Sequence, residues 1–166
     1  MHRVLVLGAG KIGALVSGLL AESGDYEVHL ADVDGPVAEA VARAHGLPGL
    51  KAFTLDASQP EAVARHMVEH GIEAVISSLP YYCNPGVAMA ARMANVHYFD
   101  LTEDVAVTRA VKMVAESAPR AFVPQCGLAP GFISIAANEL ITHFDELRAV
   151  KLRVGALPQH PNNVLK

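Results

Sequence analysis

The chain predicts a doubly wound parallel α/β sheet, and three observations carry that reading. Short apolar, β-branched runs alternate with longer stretches of helical periodicity almost to the end of the 166 residues. The first run, Val4-Leu5-Val6-Leu7, enters the glycine turn Gly8-Ala9-Gly10-Lys11-Ile12-Gly13, and a helical pattern follows at once. A hydrophobic content of 52% and a mean hydropathy of +0.30 suit strands buried on both faces.

Taken in order, the elements justify themselves by composition and punctuation. A strand over 3–7 precedes a helix over 12–23, in which Ile12, Leu15, Val16, Leu19 and Leu20 recur at helical spacing and are expected to cover the sheet, with Gly24 at the end. Val28-His29-Leu30-Ala31 forms the next strand, 27–31, and Pro36 starts a helix over 36–45. A strand at 50–54 is followed by a helix over 60–70, opened by Pro60 and closed by Gly71. After a strand at 73–77, Asn84-Pro85 reads as an N-cap with proline at the first helical position, giving a helix over 85–95. A strand at 97–100, a helix over 103–117 and a strand at 120–123 complete the alternation, for which the order 3-2-1-4-5-6 is expected.

Past Pro124 the rhythm changes. Gln125-Cys126-Gly127-Leu128-Ala129-Pro130-Gly131 leads into a helix with Ile133, Ala136, Ala137, Leu140, Ile141 and Phe144 on one face, then a strand from Ala149 to Val154 running toward Pro158. We therefore expect a first domain over 1–124 and, over 125–166, the crossover and start of a second, incomplete α/β domain. A natural product of 17.5 kDa would overturn the expectation that the chain is a fragment.

Composition narrows the function classes. The net charge of -4 and the scattered Lys and Arg residues argue against nucleic-acid binding. No apolar run reaches membrane-spanning length, so no membrane role is expected and the protein is placed in the cytoplasm. The two cysteines, Cys83 and Cys126, make no metal spacing and no disulfide framework, which agrees with a reducing compartment. Cys126 reads as a small buried packing residue.

The glycine turn carries the chemistry. Gly8 would make the tight turn, Gly10 would let backbone approach a pyrophosphate, and Gly13 would let the helix pack closely on the strand. The amides opening the helix, at Lys11, Ile12 and Gly13, would hold the anion. Asp32, at the end of the second strand, stands where a carboxylate accepts from the adenosine ribose hydroxyls. It would repel a 2′-phosphate, and no Lys or Arg lies between Asp32 and Ala42, so NAD is expected as cofactor rather than NADP. The competing account of Asp32 and Asp34 is that they start a turn before Pro36. A nucleoside triphosphate loop fits worse, because Ala14 and Leu15 stand where Lys and Ser/Thr are required.

In such a sheet, ligands bind beyond the carboxyl ends of the strands. There lie Asp56, which could reach the adenine amino group, and Ser77-Ser78-Leu79-Pro80-Tyr81-Tyr82, placed to border the pyrophosphate and the nicotinamide ribose. Tyr81 is the candidate to orient substrate or exchange a proton. Asp100 ends the fifth strand at the same edge, while Glu103 and Asp104 read as helix-opening acids favoured by the dipole. His66-Met67-Val68-Glu69-His70 matches the H-x-x-E-H zinc-protease pattern but falls in the last turn of a crossover helix, at the opposite sheet edge and without a third ligand, so no metal site is expected.

Together, the Val4 to Gly13 segment, Ser78-Leu79-Pro80-Tyr81, Val96-His97-Tyr98-Phe99-Asp100, Cys126-Gly127-Leu128-Ala129-Pro130-Gly131 and Val154-Gly155-Ala156-Leu157-Pro158 resemble the saccharopine dehydrogenase family. That family includes saccharopine reductases, carboxynorspermidine dehydrogenases and lysine 6-dehydrogenases, and the Cys126 to Gly131 loop is most similar to the last. The resemblance implies a Rossmann domain followed by a second α/β domain, a homodimer in the full-length protein, and hydride transfer between a nicotinamide cofactor and the amine or imine carbon of an amino acid derivative such as saccharopine or lysine. It implies cofactor contacts from Gly8, Gly10, Lys11, Ile12, Gly13, Asp32, Asp56, Ser78, Leu79 and Pro80, a Gly127 loop approaching the nicotinamide, and Tyr81 facing substrate. Because the chain stops before the residues that would bind a substrate carboxylate, it is expected to hold cofactor without turnover. The alternative is a noncatalytic NAD-sensing domain of the kind that gates potassium transport, which shares the glycine turn and the ribose acid.

Overall fold

The computed structural model describes residues 1–155. Six parallel strands form one sheet in the order β3-β2-β1-β4-β5-β6. They are β1 (His2–Leu7), β2 (Tyr26–Asp32), β3 (Leu50–Thr54), β4 (Ala74–Ser77), β5 (His97–Asp100) and β6 (Phe122–Val123). The helices are α1 (Lys11–Glu22), α2 (Gly35–His45), α3 (Pro60–Glu69), α4 (Asn84–Ala94), α5 (Val105–Ala115) and α6 (Phe132–Ile141).

The alternation of side chains along β1 divides the core in two. Leu5 and Leu7 face a layer built with Val63 and Met67 of α3, Val87 and Ala91 of α4, and Val107 and Val111 of α5. Val4 and Val6 face the other way, toward Ala38 of α2 and the half-buried Val16 and Leu20 of α1. A central parallel strand covered on both faces must be apolar throughout, which is why β1 reads as a continuous hydrophobic run. Among the described residues, no helix is long and apolar enough to cross a membrane.

Several local expectations change. On α1 the buried positions are Gly13, Ser17 and Gly18, while Ile12, Leu15 and Leu19 are 51%, 56% and 60% exposed. Val16 and Leu20 still pack on the core, but the fully buried positions of the helix are its small residues. A side-chain carbon on Gly13 would overlap the Gly8 carbonyl oxygen, and one on Gly18 would strike the His45 ring. Asn84 is not a cap. It is already helical, 1% exposed, and accepts a 2.7 Å hydrogen bond from the Ser77 hydroxyl, the short 3-10 turn Tyr81–Cys83 having begun the helical path before it.

The strand expected over Ala149 to Val154 is absent. Residues 149–154 are exposed and extend no sheet, because a strand needs a partner edge and the described chain offers none there. Helix α6 does form, yet none of its residues is buried. Cys126 is likewise exposed rather than packed inside, its thiol donating to the Val123 carbonyl at 3.2 Å. Of the motif Val154 to Pro158, Ala156, Leu157 and Pro158 lie outside the described residues.

Candidate functional site

The sheet order reverses direction at β1, which lies between β2 and β4, so the carboxyl ends of β1 and β4 flank the topological switch point. Gly8 leaves β1 with φ +96°, a conformation that favours glycine, and its amide donates to the Ala31 carbonyl at 2.8 Å. Ser78 braces this turn from β4. Its hydroxyl lies 2.9 Å from the Leu7 carbonyl and 3.0 Å from that of Gly8. The turn is therefore set by backbone geometry and one side chain beneath it.

What the turn presents is a bare helix terminus. Gly10 is the N-cap of α1, contributes no side-chain cap, and is followed by no acid in the first turn. A side-chain carbon built on Gly10 would have no protein atom within 4 Å, so nothing inside the molecule requires glycine there. Open space over uncapped amides at the positive end of a twelve-residue helix suits an anion. Asp32 completes the rim from β2. One carboxylate oxygen accepts from the Ala9 amide at 2.7 Å and the other from the Asp34 amide at 3.0 Å, so the acid is locked to the glycine turn itself. Each oxygen keeps a further lone pair.

Two hollows flank the turn. The smaller, about 220 Å³, is lined on the β2–β3 side by Asp32, Val33, Asp56, Ser58 and Cys83, with Leu79 and Pro80 closing it. Ser58, through its side chain and its amide at 2.9 Å, holds the Asp56 carboxyl below its ordinary value, so it is an anion there. Burial, and next the Asp56 charge, push the Cys83 thiol up. The larger cleft, about 750 Å³, lies on the β4–β5 side between Ile12, Leu79 and Tyr81 and a wall of Thr102, Glu103 and Asp104. Tyr81 is 54% exposed into this region and stands edge-on to Tyr82, ring centres 5.7 Å apart.

The structure thus brings Gly8, Ile12, Asp32, Asp56, Ser78, Leu79, Pro80 and Tyr81 around one switch point, with Gly10, Lys11 and Gly13 opening the helix between the hollows. Gly127 lies apart from both linings, beside the Leu101 carbonyl behind the wall of the larger cleft. Asp100 is fully buried and serves the scaffold. It accepts from the Tyr98 hydroxyl at 2.6 Å, the Thr102 amide at 2.9 Å and the Gln125 amide at 3.1 Å, tying β5 to the crossover loop. Burial, and then Asp100 as its acceptor, raise the Tyr98 phenol.

The acids of the wall were legible in sequence only as helix-opening residues. Asp104 does cap α5, accepting from the Val107 amide at 2.8 Å, but it also lines the cleft with Glu103. Their dipole-friendly positions concealed that second place. His66 and His70 pack on His29 and Phe53. Among the described residues, no group of three His, Cys, Asp or Glu side chains is arranged to hold a metal ion.

Comparison with known proteins agrees with this fold. The family model described as "Saccharopine dehydrogenase NADP binding domain" matches residues 4–126. Among solved structures, the chain is similar to apo saccharopine dehydrogenase (L-Glu forming) from Saccharomyces cerevisiae, with 25% identity and a TM-score of 0.75 over 86% of this chain and 31% of that one. It shares its fold with a myo-inositol dehydrogenase from Corynebacterium glutamicum, at 19% identity and a TM-score of 0.62 over 86% of this chain and 41% of that one. An NAD binding oxidoreductase from Klebsiella pneumoniae also shares it, at 19% identity and a TM-score of 0.60 over 86% of this chain and 39% of the other. The chain spans well under half the length of each. With the match running from β1 to just past β6, the chain belongs to the saccharopine dehydrogenase NADP binding domain family.

Proposed function

We propose that this chain is the dinucleotide-binding part of an oxidoreductase that uses NAD and acts at the C–N centre of an amino acid derivative. The observation that carries the reading is the uncapped start of α1 over open space at Gly10, with Asp32 fastened to the same turn through Ala9. In this reading the amides of Lys11, Ile12 and Gly13 bind the pyrophosphate, and Asp32 accepts from the adenosine ribose hydroxyls. Asp56, with Leu79 and Pro80, borders the adenine on the smaller hollow. The larger cleft takes the nicotinamide end, with Tyr81 facing substrate. When bound, the nicotinamide supplies or accepts the hydride; the protein contributes position and electrostatics.

The choice of NAD rests on Asp32. A carboxylate held by two amides cannot swing away to admit a 2′-phosphate, and residues 33–41 supply no cation to offset the repulsion. The family model is named for NADP, which makes the comparison between the two cofactors the informative one. An amine or imine substrate is supported by the similarity to a saccharopine dehydrogenase and by the acids Glu103 and Asp104 on the cleft wall.

Titration calorimetry on the chain tests the reading. NAD should bind at least about tenfold more tightly than NADP, the range expected for charge-assisted hydrogen bonds of about 1.5–3 kcal/mol. Binding of NAD should collapse in Gly10→Trp, which fills the pyrophosphate space, and in Asp32→Arg. Unchanged NAD affinity in both variants would sink the site, and tighter NADP binding in the unmutated chain would reverse the cofactor preference.

A further inference from the structure

The face of the sheet opposite α1 carries a cluster that the dinucleotide reading leaves unused. His29 of β2 is 2% exposed, and its ring stacks on Phe53 of β3 with centres 4.4 Å apart. The last turn of α3 brings His66, and the residue after it, His70, onto the same spot. Ring centres of His66 and His70 are 4.4 Å apart, and they lie 5.3 Å and 5.0 Å from that of His29. The pair His29 Nδ1 and His66 Nε2 are 3.1 Å apart, within hydrogen-bond distance.

That hydrogen bond sets a condition on protonation. One of the two nitrogens must donate and the other must offer a lone pair. If both rings become imidazolium, two N–H groups meet head-on and the bond is lost. The surroundings offset the charge only in part. Glu27 of β2 is 3.4 Å from His29 Nε2, but its carboxylate is engaged by Lys51 of β3 at 3.0 Å and lies 3.8 Å from Arg3 of β1. A separate hollow beside the rings is lined by Glu27 and Glu69 together with Arg3, Lys51 and His70, so two fixed cations accompany two acids. Arg3 also donates to the His70 carbonyl at 3.3 Å, and Arg92, the charged residue of α4, donates to the carbonyls of Val114 and Glu116 instead. Burial, followed by repulsion from His70 and His29, holds His66 down to about 4, and burial lowers His29 as well.

We propose that His29, His66, His70 and Phe53 form a proton-sensitive latch, which clamps the C-terminal turn of α3 to β2 and β3 while the His29 and His66 rings are neutral and releases it when both are protonated. The other end of α3 opens beside the smaller hollow. Pro60 follows directly on the Asp56–Gln59 turn, whose Gln59 carbonyl accepts from the Ala62 and Val63 amides at 3.0 and 3.1 Å. The latch and the smaller hollow are therefore the two ends of one ten-residue helix. The latch is tested without any dinucleotide, so it stands or falls separately from the function proposed above.

Amide hydrogen exchange on the chain, expressed as protection factors at pH 7.5 and pH 5.0, reads the latch directly. Protection in residues 64–69 should drop at least tenfold at the lower pH, and by more than it does in α1 and α5. His66→Phe keeps an aromatic ring against Phe53 but removes one of the two lowered imidazoles, and it should shrink the drop. Constant protection in α3, an equal loss in α1, α3 and α5, or an undiminished drop in His66→Phe would each overturn the proposal. Should His66→Phe fail to fold, imidazole NMR titration of the unmutated chain decides. Midpoints for His29 and His66 below that of an unfolded-chain histidine support the latch, and independent midpoints at the ordinary value refute it.

Discussion

Asp32 and Asp100 occupy equivalent places, each ending a strand at the productive edge of the sheet, and hydrogen bonding separates their work. Asp32 remains half-buried at the rim with its two amides from the adjoining turn. Asp100 is sealed inside, with a phenol and two amides as donors drawn from β5, the loop after it and the crossover. Replacing Asp100 by Ala should strand those donors and cost about 3 kcal/mol or more in urea unfolding, with Tyr98→Phe costing about 1 kcal/mol because only one partner is lost. Similar losses for the two variants would show that the two amide bonds contribute nothing. The three glycines of the turn also separate by cause. Gly8 is required by its positive φ and Gly13 by the overlap with the Gly8 carbonyl, whereas Gly10 is required by nothing within the protein.

At the level of elements, the helices differ in what holds their ends. α5 has a side-chain cap, Asp104 to the Val107 amide, and α2 ends at Gly46 in a left-handed conformation. The starts of α1, α2, α4 and α6 all lack a side-chain cap and a first-turn acid, so at α1 it is the open space over Gly10, and not the missing cap, that leaves room for an anion. Asp104→Ala should therefore destabilise the fold by about 1 kcal/mol, measured as a shift in the urea midpoint. NAD affinity should change less than threefold if Asp104 acts only as a cap. A larger loss of affinity would assign the cleft wall a direct part in binding. Helix α6 presents Ile133, Ala136, Ala137, Leu140 and Ile141 to a groove of about 640 Å³ shared with Leu147, Val150 and Leu152, matching the face expected from its periodicity except that Phe144 lies beyond the end of the helix. Periodicity identified the face correctly but carried no information about its depth, since none of α6 is buried.

For the molecule as a whole, acid should be destabilising through the histidines before it is so through the carboxylates. His29 and His66 are held below the ordinary histidine value in the folded chain, so the unfolded chain binds more protons between about pH 6.5 and pH 4. Their contribution is complete above about pH 6.5 and is lost progressively as pH falls toward about 4. For a fully shielded His66 the loss would be roughly 3 kcal/mol, and solvent at its half-exposed ring reduces this to roughly 1–2 kcal/mol. The urea midpoint should fall across that window, and the fall should be smaller in His66→Phe. A midpoint constant from pH 7 to pH 4.5 would contradict the shifted values.

Local order and spacing in the sequence alone determined much of this protein. Glycine positions, the place of Asp32 after a second apolar run, and strict strand-helix alternation were enough to specify the sheet order and the place of the topological switch point, because each depends on near neighbours along the chain. Tertiary structure decided what depends on distant residues. Close approach of α1 to the sheet buried Gly13, Ser17 and Gly18 and turned Leu15 and Leu19 outward, against the apolar periodicity. Pairing with Ser77 converted Asn84 from an expected cap into a buried strut, and the lack of a partner edge left residues 149–154 without a strand. An H-x-x-E-H match became part of an aromatic cluster only because β2 and β3 deliver His29 and Phe53 beneath α3. Spacing along a chain can place a side chain on a face; only folding determines what meets it there.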